Sequence, residues 1–301
     1  MKALVISGGG SKGAFAGGVA QHLIQDLGNR YDLYLGTSTG SLLIPHLALG
    51  DIPKVRHAYT SVNQESIFSR RPFTIQRKHG TASIGINHWN VVQNFLRGSK
   101  TFGESHNLLQ LIRRTLTPEE FQTLKEGASD LLVTVSNLSL NQVEYKSLRD
   151  FDYDEFCEWI WISCNYTPFM SLVRKNGCDY ADGGLGCIVP IEEAIRRGAT
   201  EVDAIVLHTE VTQLNRMPSR NAFSLLTNMF AFMLDRIEQQ NIKIGKFVAN
   251  QHDAIINFYY TPTVLTTNSL IFDREQMTQW WERGRQYAAS KSGRTSPLEP
   301  E

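Results

Sequence analysis

Ser38 is the residue in this sequence whose setting fits a nucleophile most closely. It is the central residue of the pentapeptide Gly-Thr-Ser-Thr-Gly at positions 36–40. A strand-like apolar run at 31–35 precedes the pentapeptide, and a helix-compatible apolar run at 41–49 follows it. This order predicts a nucleophile elbow, a sharp turn that leaves a serine hydroxyl at the open end of a sheet. Such a serine can attack the carbonyl carbon of an ester.

The glycines at both ends of the pentapeptide support this interpretation. Gly36 and Gly40 lie two residues before and two residues after Ser38. We expect both to be required as glycine, because a Cβ at either position would crowd the chain reversal. An ordinary strand-to-helix connection is the alternative, since glycine, serine and threonine are common in turns.

Length, composition and charge indicate a large α/β protein with an ordinary core. The chain has 301 residues, of which 42% are hydrophobic and 20% are charged. Lys plus Arg and Asp plus Glu number 30 each, so no net charge favours nucleic acid or an anionic membrane. Without a Pro/Gly/Ser-rich linker, we predict one domain over 1–290, with an insertion at 63–106 and a polar tail at 291–301.

Targeting signals and metal-binding patterns are absent from the sequence. The apolar run at 3–6 is too short for a signal peptide, and no stretch reaches the ~18 apolar residues of a membrane span. We therefore predict a cytoplasmic protein. The four cysteines form no C-x-x-C pair and match no histidines at ligand spacing, so we expect free thiols, no metal and no cofactor. The oligomeric state is left open.

A glycine-rich loop follows the first predicted strand. Residues 3–7 are typical of a buried parallel strand, and Gly-Gly-Gly-Ser-Lys-Gly at 8–13 opens a predicted helix over 14–27. The spacing satisfies G-x-G-x-x-G, so a nucleotide-binding protein that uses Gly8–Gly13 is an alternative function. That fingerprint needs an acidic residue at the end of the second strand, where this sequence has the Ser38 pentapeptide.

The other use of such a loop is to bind negative charge. If the first two strands are parallel neighbours, their ends lie ~5 Å apart, and the amides of Gly8, Gly9 and Gly10 stand beside Ser38. They would form an oxyanion hole for an ester attacked by Ser38. Lys12 lies in the first turn of the helix, where a cation opposes the helix dipole. It either serves an anionic group or is a solvated surface lysine.

The segment 63–106 is the least regular part of the sequence. Trp89, Val92, Phe95 and Leu96 recur at helical spacing within it. Two interpretations fit equally well: a lid whose apolar face meets a lipid surface, or a helical insertion that packs Trp89 on the core.

The remaining chain alternates predicted strands and helices and carries one further motif. Asp182-Gly183-Gly184 follows a hairpin predicted about Asn176-Gly177, and alone it indicates no more than a turn. A long amphipathic helix is predicted over 222–248, and core packing explains its apolar face best, with a membrane or partner face as the alternative. The apolar positions of this helix are Phe223, Leu226, Phe230, Met233 and Ile237. The further predicted strands are 131–135, 142–146, 202–208 and 255–260, and the further helices are 52–62, 105–116, 118–126, 154–163, 190–197 and 273–289.

A serine nucleophile also needs a base. In an α/β-hydrolase the elbow follows several strands, with the acid and the histidine later in the chain, whereas Ser38 follows only the second predicted strand. None of the eight histidines has a local sequence that marks it as a base. His208, at the end of a predicted strand, is the strongest candidate among them.

Three motifs in this order resemble the patatin-like phospholipase family: the glycine loop at 8–13, the elbow at 36–40, and Asp182-Gly183 far downstream. The resemblance spans about residues 3–210. Stretches between the motifs also match the family's layout, namely Thr134 to Leu138, Ser163-Cys164 with Pro168, and Pro190 ahead of Gly198-Ala199. Two features depart from it: residues 185–189 lack the asparagines that often follow Asp-Gly-Gly, and 63–106 carries no family motif.

The resemblance implies an α/β fold, a patatin-like three-layer sandwich whose mostly parallel central sheet is flanked by helices. It implies acyl transfer from a phospholipid or lysophospholipid ester, with peripheral membrane contact left open. Ser38 would be the nucleophile, Asp182 the base, and the Gly8 to Gly10 amides the oxyanion hole, without histidine. Supporting positions are Lys12, Gly36, Gly40 and Gly183. A non-hydrolytic lipid-binding relative is a further alternative.

Overall fold

The computed structural model describes residues 1–78, 81–211, 219 and 222–293, apart from the side chains of 76–84 and 222–224. Its strands are Lys2–Ile6 (β1), Leu33–Thr37 (β2), Phe73–Lys78 (β3), Thr81–Ile86 (β4), Asp130–Asn137 (β5), Gln142–Ser147 (β6), Val173–Lys175 (β7), Cys178–Asp182 (β8), Glu201–Val206 (β9) and Ile255–Tyr260 (β10). Its helices are Gly13–Gln21 (α1), Thr39–Ala48 (α2), Ile52–Ser61 (α3), Gln64–Ile67 (α4), His88–Leu96 (α5), His106–Thr115 (α6), Pro118–Glu126 (α7), Tyr153–Ser163 (α8), Ile191–Arg196 (α9), Ala222–Gln251 (α10) and Arg274–Ser292 (α11).

The central sheet is mostly parallel, as the sequence predicts. Among the described residues it has eight strands in the order β10-β9-β1-β2-β5-β8-β7, with β6 also paired to β5. Strands β10, β9, β1, β2 and β5 are parallel, whereas β6, β7 and β8 run antiparallel to their neighbours. Parallel strands buried on both faces need helices on both sides, which gives three layers.

Alternate residues of β1 face the two helical layers. Leu4 and Ile6 face a core that also includes residues of α1, α2, α8 and α11. Ala3 and Val5 face the opposite side, where α9 and part of α10 cover the sheet. The period of two along the strand produces this division, and the predicted three-layer α/β fold is confirmed.

Helix α1 is fully buried and fixes the glycine loop that precedes it. Every residue from Gly13 to Gln21 is buried. Gly17 and Gly18 permit the close approach of α11, since a Cβ on them would lie 2.1 Å from the Trp281 ring and 1.9 Å from its carbonyl oxygen. The α-helix ends at Gln21 and continues directly as a π-helix over His22–Asp26, so the helix predicted over 14–27 is present, with a wider last turn.

The segment 63–106 contains a strand pair that the sequence did not predict. Strands β3 and β4 pair with each other and lie outside the central sheet. Ile67, Phe68 and Phe73 join the main hydrophobic core. The alternative in which Trp89 packs on the core is wrong, because 71% of Trp89 is exposed. That 63–106 is an insertion into a domain over 1–290 stays a prediction.

The ends of two late helices differ from expectation. Helix α11 extends to Ser292, two residues into the predicted polar tail, and 294–301 lie outside the described residues. Core packing explains α10 only in part: Val248 and Ala249 are buried, but Met233, predicted to face inward, is 51% exposed. The side chain of Phe223 lies outside the described residues. Within the described ranges 1–78, 81–211 and 222–293, no helix has the length and apolar character that crossing a bilayer requires.

Candidate active site

Ser38 lies on a strained turn between β2 and α2. Its φ of 53° and ψ of −118° are unusual for a residue with a side chain. Both flanking glycines are necessary, because a Cβ on Gly36 would lie 2.4 Å from the carbonyl carbon of Gly40, and one on Gly40 would lie 2.3 Å from the Ile6 oxygen. The turn therefore has the geometry predicted for a nucleophile elbow.

Hydrogen bonds from helix α8 hold this turn. The Ser38 amide donates to Ser163 Oγ at 2.9 Å, and that hydroxyl donates to the Thr134 carbonyl at 2.7 Å. Cys164 Sγ donates to the Ser38 carbonyl at 3.1 Å. Ser163-Cys164 was singled out in the sequence only through the family layout, because neither periodicity nor spacing indicates that α8 contacts the elbow.

Asp182 reaches Ser38 across one intervening strand. β5 lies between β2 and β8, with Thr37 opposite Thr134 and Val135 opposite Asp182. Their backbones are thus two strand spacings apart, roughly 10 Å, and the two side chains span this gap. The Ser38 side chain lies near enough to the Asp182 carboxylate to lower the pKa of that carboxylate by hydrogen bonding.

The environment of Asp182 makes it an unusually strong base for a carboxylate. It is 4% exposed, and burial raises its pKa to about 7, against the lowering effects of the hydrogen bonds from Ser38 and the Gly184 amide. The Gly184 amide donates to Asp182 Oδ1 at 2.7 Å. A Cβ on Gly183 would lie 2.2 Å from the Thr134 carbonyl oxygen, so glycine is needed for this close approach to β5.

The glycine loop lies beside Ser38, at the end of β1, which is parallel to β2. A Cβ on Gly8 would lie 3.4 Å from the Ser38 Cβ. The Gly8 amide donates to the Ile188 carbonyl at 3.2 Å, so it is not available to a substrate oxygen. Among the residues that the structure describes, none accepts a hydrogen bond from the amides of Gly9 or Gly10. These two amides are the donors left for a negative charge.

Lys12 is buried rather than solvated, so the surface alternative is wrong. It is 7% exposed, and its Nζ donates to the Leu207 carbonyl at 2.6 Å. Burial lowers its pKa, and the nearby carboxylates of Glu238 and Asp235 oppose that effect. Lys12 thus ties the glycine loop to the chain that leaves β9.

His208, the strongest histidine candidate, is engaged elsewhere. Its Nδ1 lies 2.7 Å from Glu238 Oε2, and its Nε2 lies 3.3 Å from Asp235 Oδ1. Both carboxylates belong to α10, so the ring nitrogens face acids rather than the Ser38 hydroxyl. Among the described residues, no group of three or more His, Cys, Asp or Glu could hold a metal ion.

A cavity of about 240 Å³ opens at Ser38, Asp182 and the glycine loop. One part runs between α2, α3 and α6 and is lined mainly by aliphatic side chains, such as Leu42, Val55 and Ile112. The other part carries polar groups, among them His208 and Thr266. The cavity can therefore take an amphipathic molecule with its centre at Ser38.

Comparison with known proteins identifies the family of the chain. No curated protein sequence matches the chain. The crystal structure of VipD from Legionella pneumophila overlaps it with a TM-score of 0.49 and 15% identity, over 96% of this chain and 66% of VipD, so the chain spans just under two thirds of that protein. The family model described as patatin-like phospholipase matches residues 4–195, more than half of the chain. The chain therefore belongs to the patatin-like phospholipase family, a family of lipid acyl hydrolases.

Proposed function

We propose that this chain is a serine acyl hydrolase that cleaves phospholipid or lysophospholipid esters through a Ser38–Asp182 dyad and an acyl-enzyme. One observation carries the proposal: a serine on a strained elbow contacts a buried carboxylate whose pKa is raised to about 7. An isolated surface serine or a solvated aspartate would not provide this combination.

The first step is attack on the ester. Asp182 takes the proton of the Ser38 hydroxyl as Oγ forms a bond to the carbonyl carbon, and the carbonyl electron pair moves to its oxygen. The Gly9 and Gly10 amides stabilise that oxyanion. A carboxylate with a pKa of about 7 rather than 3.8 takes the proton at a free-energy cost lower by about 4 kcal/mol, at about 1.4 kcal/mol per pKa unit.

The second step releases the alcohol and then the acid. The oxyanion re-forms its carbonyl, the bond to the leaving oxygen breaks, and protonated Asp182 gives that oxygen its proton. Water then attacks the acyl-Ser38 ester with Asp182 again as the base, which frees the fatty acid and restores the serine. Lys12 and Gly183 position the loop and the carboxylate rather than touch the substrate.

The cavity supports a lipid ester as the substrate. Its aliphatic part between α2, α3 and α6 suits the acyl chain, which gains free energy when it leaves water. Its polar part near His208 and Thr266 suits the leaving alcohol. In this orientation the ester carbonyl lies at Ser38.

The decisive experiment follows acyl products by mass spectrometry after incubation with a mixed lipid pool, in parallel with labelling by a fluorophosphonate probe. Wild type should release fatty acids and be labelled on Ser38, whereas Ser38→Ala should do neither. Saturable dinucleotide binding without ester turnover would instead favour the nucleotide-binding alternative. Lipid binding without turnover would favour a non-hydrolytic relative.

The pH dependence of kcat/KM should report the basicity of Asp182. Only its ionised form can accept the serine proton, so kcat/KM on an uncharged, water-soluble ester should rise about ten-fold per pH unit below 7 and level off above. His208→Gln is the control, because it removes the imidazole from the polar part of the cavity and leaves Asp182 in place. A midpoint near 4, or its loss in His208→Gln, would contradict Asp182 as the base.

We further propose that the apolar face of α5 contacts the lipid surface from which the substrate is taken. This face comprises Trp89, Val92, Phe95 and Leu96, which are 49–82% exposed. An aromatic path connects it to the cavity: Phe95 contacts Phe102, Phe102 contacts Phe169, and Phe169 stacks on Tyr166, which lines the cavity. Its continuity with the cavity favours a lipid surface over an unrelated partner.

Replacing Trp89 and Leu96 together by serine should weaken binding to phosphatidylcholine vesicles about ten-fold or more, because two large apolar side chains no longer enter the interface. Vesicle sedimentation measures this, and hydrolysis of a soluble ester should be unchanged. Ile255→Ser is the matched control: Ile255 is 63% exposed but begins β10, at the opposite end of the parallel strands. Equal vesicle binding, or dissociation of a dimer by the double substitution, would contradict lipid contact.

A further inference from the structure

The aliphatic part of the cavity contains one imidazole ring among the described residues, that of His46. On α2, Leu42, Pro45 and His46 line the cavity after Ser38, at the three- and four-residue spacing of one helix face. Residues of α6 form the facing wall, where Thr115 also lines the cavity. The aliphatic part of the cavity is therefore also lined by a histidine and a threonine.

His46 is buried without a partner. It is 4% exposed, and its Nδ1 has no hydrogen-bond partner. Within the described part of the chain, its Nε2 also forms none, and Nε2 is the ring nitrogen that a molecule in the cavity can reach, because Nδ1 is fully buried. A buried polar atom left unpaired is costly, so natural proteins rarely keep one without a function or a bound molecule. Among the side chains that the structure describes, five others have such an atom, but none of them lines the cavity: Ser11, Gln64, Thr134, Trp159 and Asn165.

The surroundings keep the His46 ring neutral. Burial, and then the charge of Lys54, lower its pKa to about 4, against opposing effects of Glu120 and Asp51. Lys54 is itself paired with Glu120. A neutral imidazole has one nitrogen that donates and one that accepts, so it can pair with a hydroxyl in either direction.

The position of His46 sets where on the acyl chain such a hydroxyl would be. His46 is eight residues after Ser38 on one helix, which corresponds to about 12 Å at about 1.5 Å per residue. An extended chain advances about 1.2 Å per bond. About ten bonds therefore separate the carbonyl carbon at Ser38 from a group beside His46.

We propose that His46 is a binding subsite for a hydroxyl carried by the acyl chain about ten bonds from its carbonyl carbon. This inference rests on the proposed function, because it takes the ester carbonyl to lie at Ser38. The subsite selects hydroxylated medium-chain acyl groups over plain ones. A hydroxyl recovers its hydrogen bond at His46, whereas a plain chain leaves the ring unpaired.

The test is direct binding to Ser38→Ala, which cannot turn the ligand over. Calorimetry compares methyl 10-hydroxydecanoate with methyl decanoate and with methyl 3-hydroxydecanoate, whose hydroxyl would lie near Ser38. We expect the 10-hydroxy ester to bind about ten-fold more tightly than both others. Equal affinities for the three esters would overturn the subsite and leave His46 to bind water.

Substitution of the ring assigns the selectivity to His46. In His46→Leu the advantage of the 10-hydroxy ester should disappear, whereas His46→Gln, which keeps a donor and an acceptor, should retain part of it. His57→Leu is the matched control, because His57 is an exposed histidine on α3 outside the cavity. Selectivity that persists in His46→Leu would overturn the proposal.

Turnover separates this inference from the proposed function. If wild type hydrolyses all three esters at equal kcat/KM, the acyl hydrolase stands and the subsite fails. If no ester is hydrolysed and the fluorophosphonate does not label Ser38, but the 10-hydroxy ester binds selectively through His46, the hydrolase proposal fails and the subsite stands.

Discussion

Asp182→Asn is expected to lower kcat/KM about 10³-fold or more while the protein stays folded. Asparagine has nearly the same shape and can still accept the Gly184 amide, but it cannot take the Ser38 proton. Steady-state hydrolysis of a soluble ester measures the loss. An active Asn variant would exclude Asp182 as the base.

A stability measurement shows whether the Asp182→Asn protein is folded. The pKa of Asp182 is raised in the folded protein, so between about pH 4 and pH 7 the folded state binds more protons than the unfolded state. The free energy of unfolding therefore falls as pH rises through that window. Asparagine does not ionise, so it avoids the cost of a buried negative charge. The free energy of unfolding of Asp182→Asn should therefore exceed that of wild type at pH 8, by at most about 4 kcal/mol. The difference should vanish near pH 4. Urea unfolding at both pH values tests this.

Gly10→Ala should lower kcat/KM about 10²–10³-fold, the effect typical of losing one oxyanion donor. A Cβ on Gly10 would lie 2.3 Å from the Ser269 carbonyl oxygen, which accepts the Ser11 amide at 2.9 Å. The loop must move away from Ser269, and the free amides then no longer point at the substrate carbonyl. KM should change little, because the ground-state ester contacts this amide weakly.

Gly28→Ala is the matched control for that substitution. Gly10 and Gly28 both have positive φ, 56° and 69°, so alanine incurs the same backbone cost at each. At Gly28 no atom lies within 4 Å of the added Cβ, so no segment is displaced. Gly28→Ala should keep full activity with a small loss of stability. If Gly10→Ala is as active as Gly28→Ala, the Gly10 amide is not an oxyanion donor.

The sequence predicted the elements that carry the site because their signals are local. A strand followed by Gly-x-Ser-x-Gly predicts an elbow, since glycine is needed wherever a Cβ would collide within the turn. The apolar runs at 3–7 and 202–208 predicted buried parallel strands, and both lie in the sheet. The β7–β8 hairpin was also predicted correctly, because Asn176-Gly177 is a turn signal, and the predicted strands 131–135 and 142–146 form β5 and β6.

Expectations that depended on contacts between residues far apart in the sequence were less often correct. The residues next to Lys12 in the sequence do not indicate that it is buried. Its burial is possible because its Nζ donates to the carbonyl of Leu207, 195 positions later. The β3–β4 pair and the exposed face of α5 were not distinguished in the sequence, because a short apolar patch looks the same whether it packs on a core or faces solvent. The sequence likewise does not show that the His46 ring lacks a hydrogen-bond partner, because this depends on the helices around it.

The sequence by itself determined the α/β fold, the elbow at Ser38 and, through three ordered motifs, the family. These follow from the period of side chains along strands and helices and from the steric needs of glycine, which act over a few residues. Only the tertiary structure decided that Asp182 and Ser38 line one cavity, that the pKa of Asp182 is raised to about 7, and that no described residue accepts a hydrogen bond from the amides of Gly9 and Gly10. Each of these depends on desolvation or hydrogen bonding by residues far apart in the chain, and local sequence does not encode which distant groups exclude water from a given side chain.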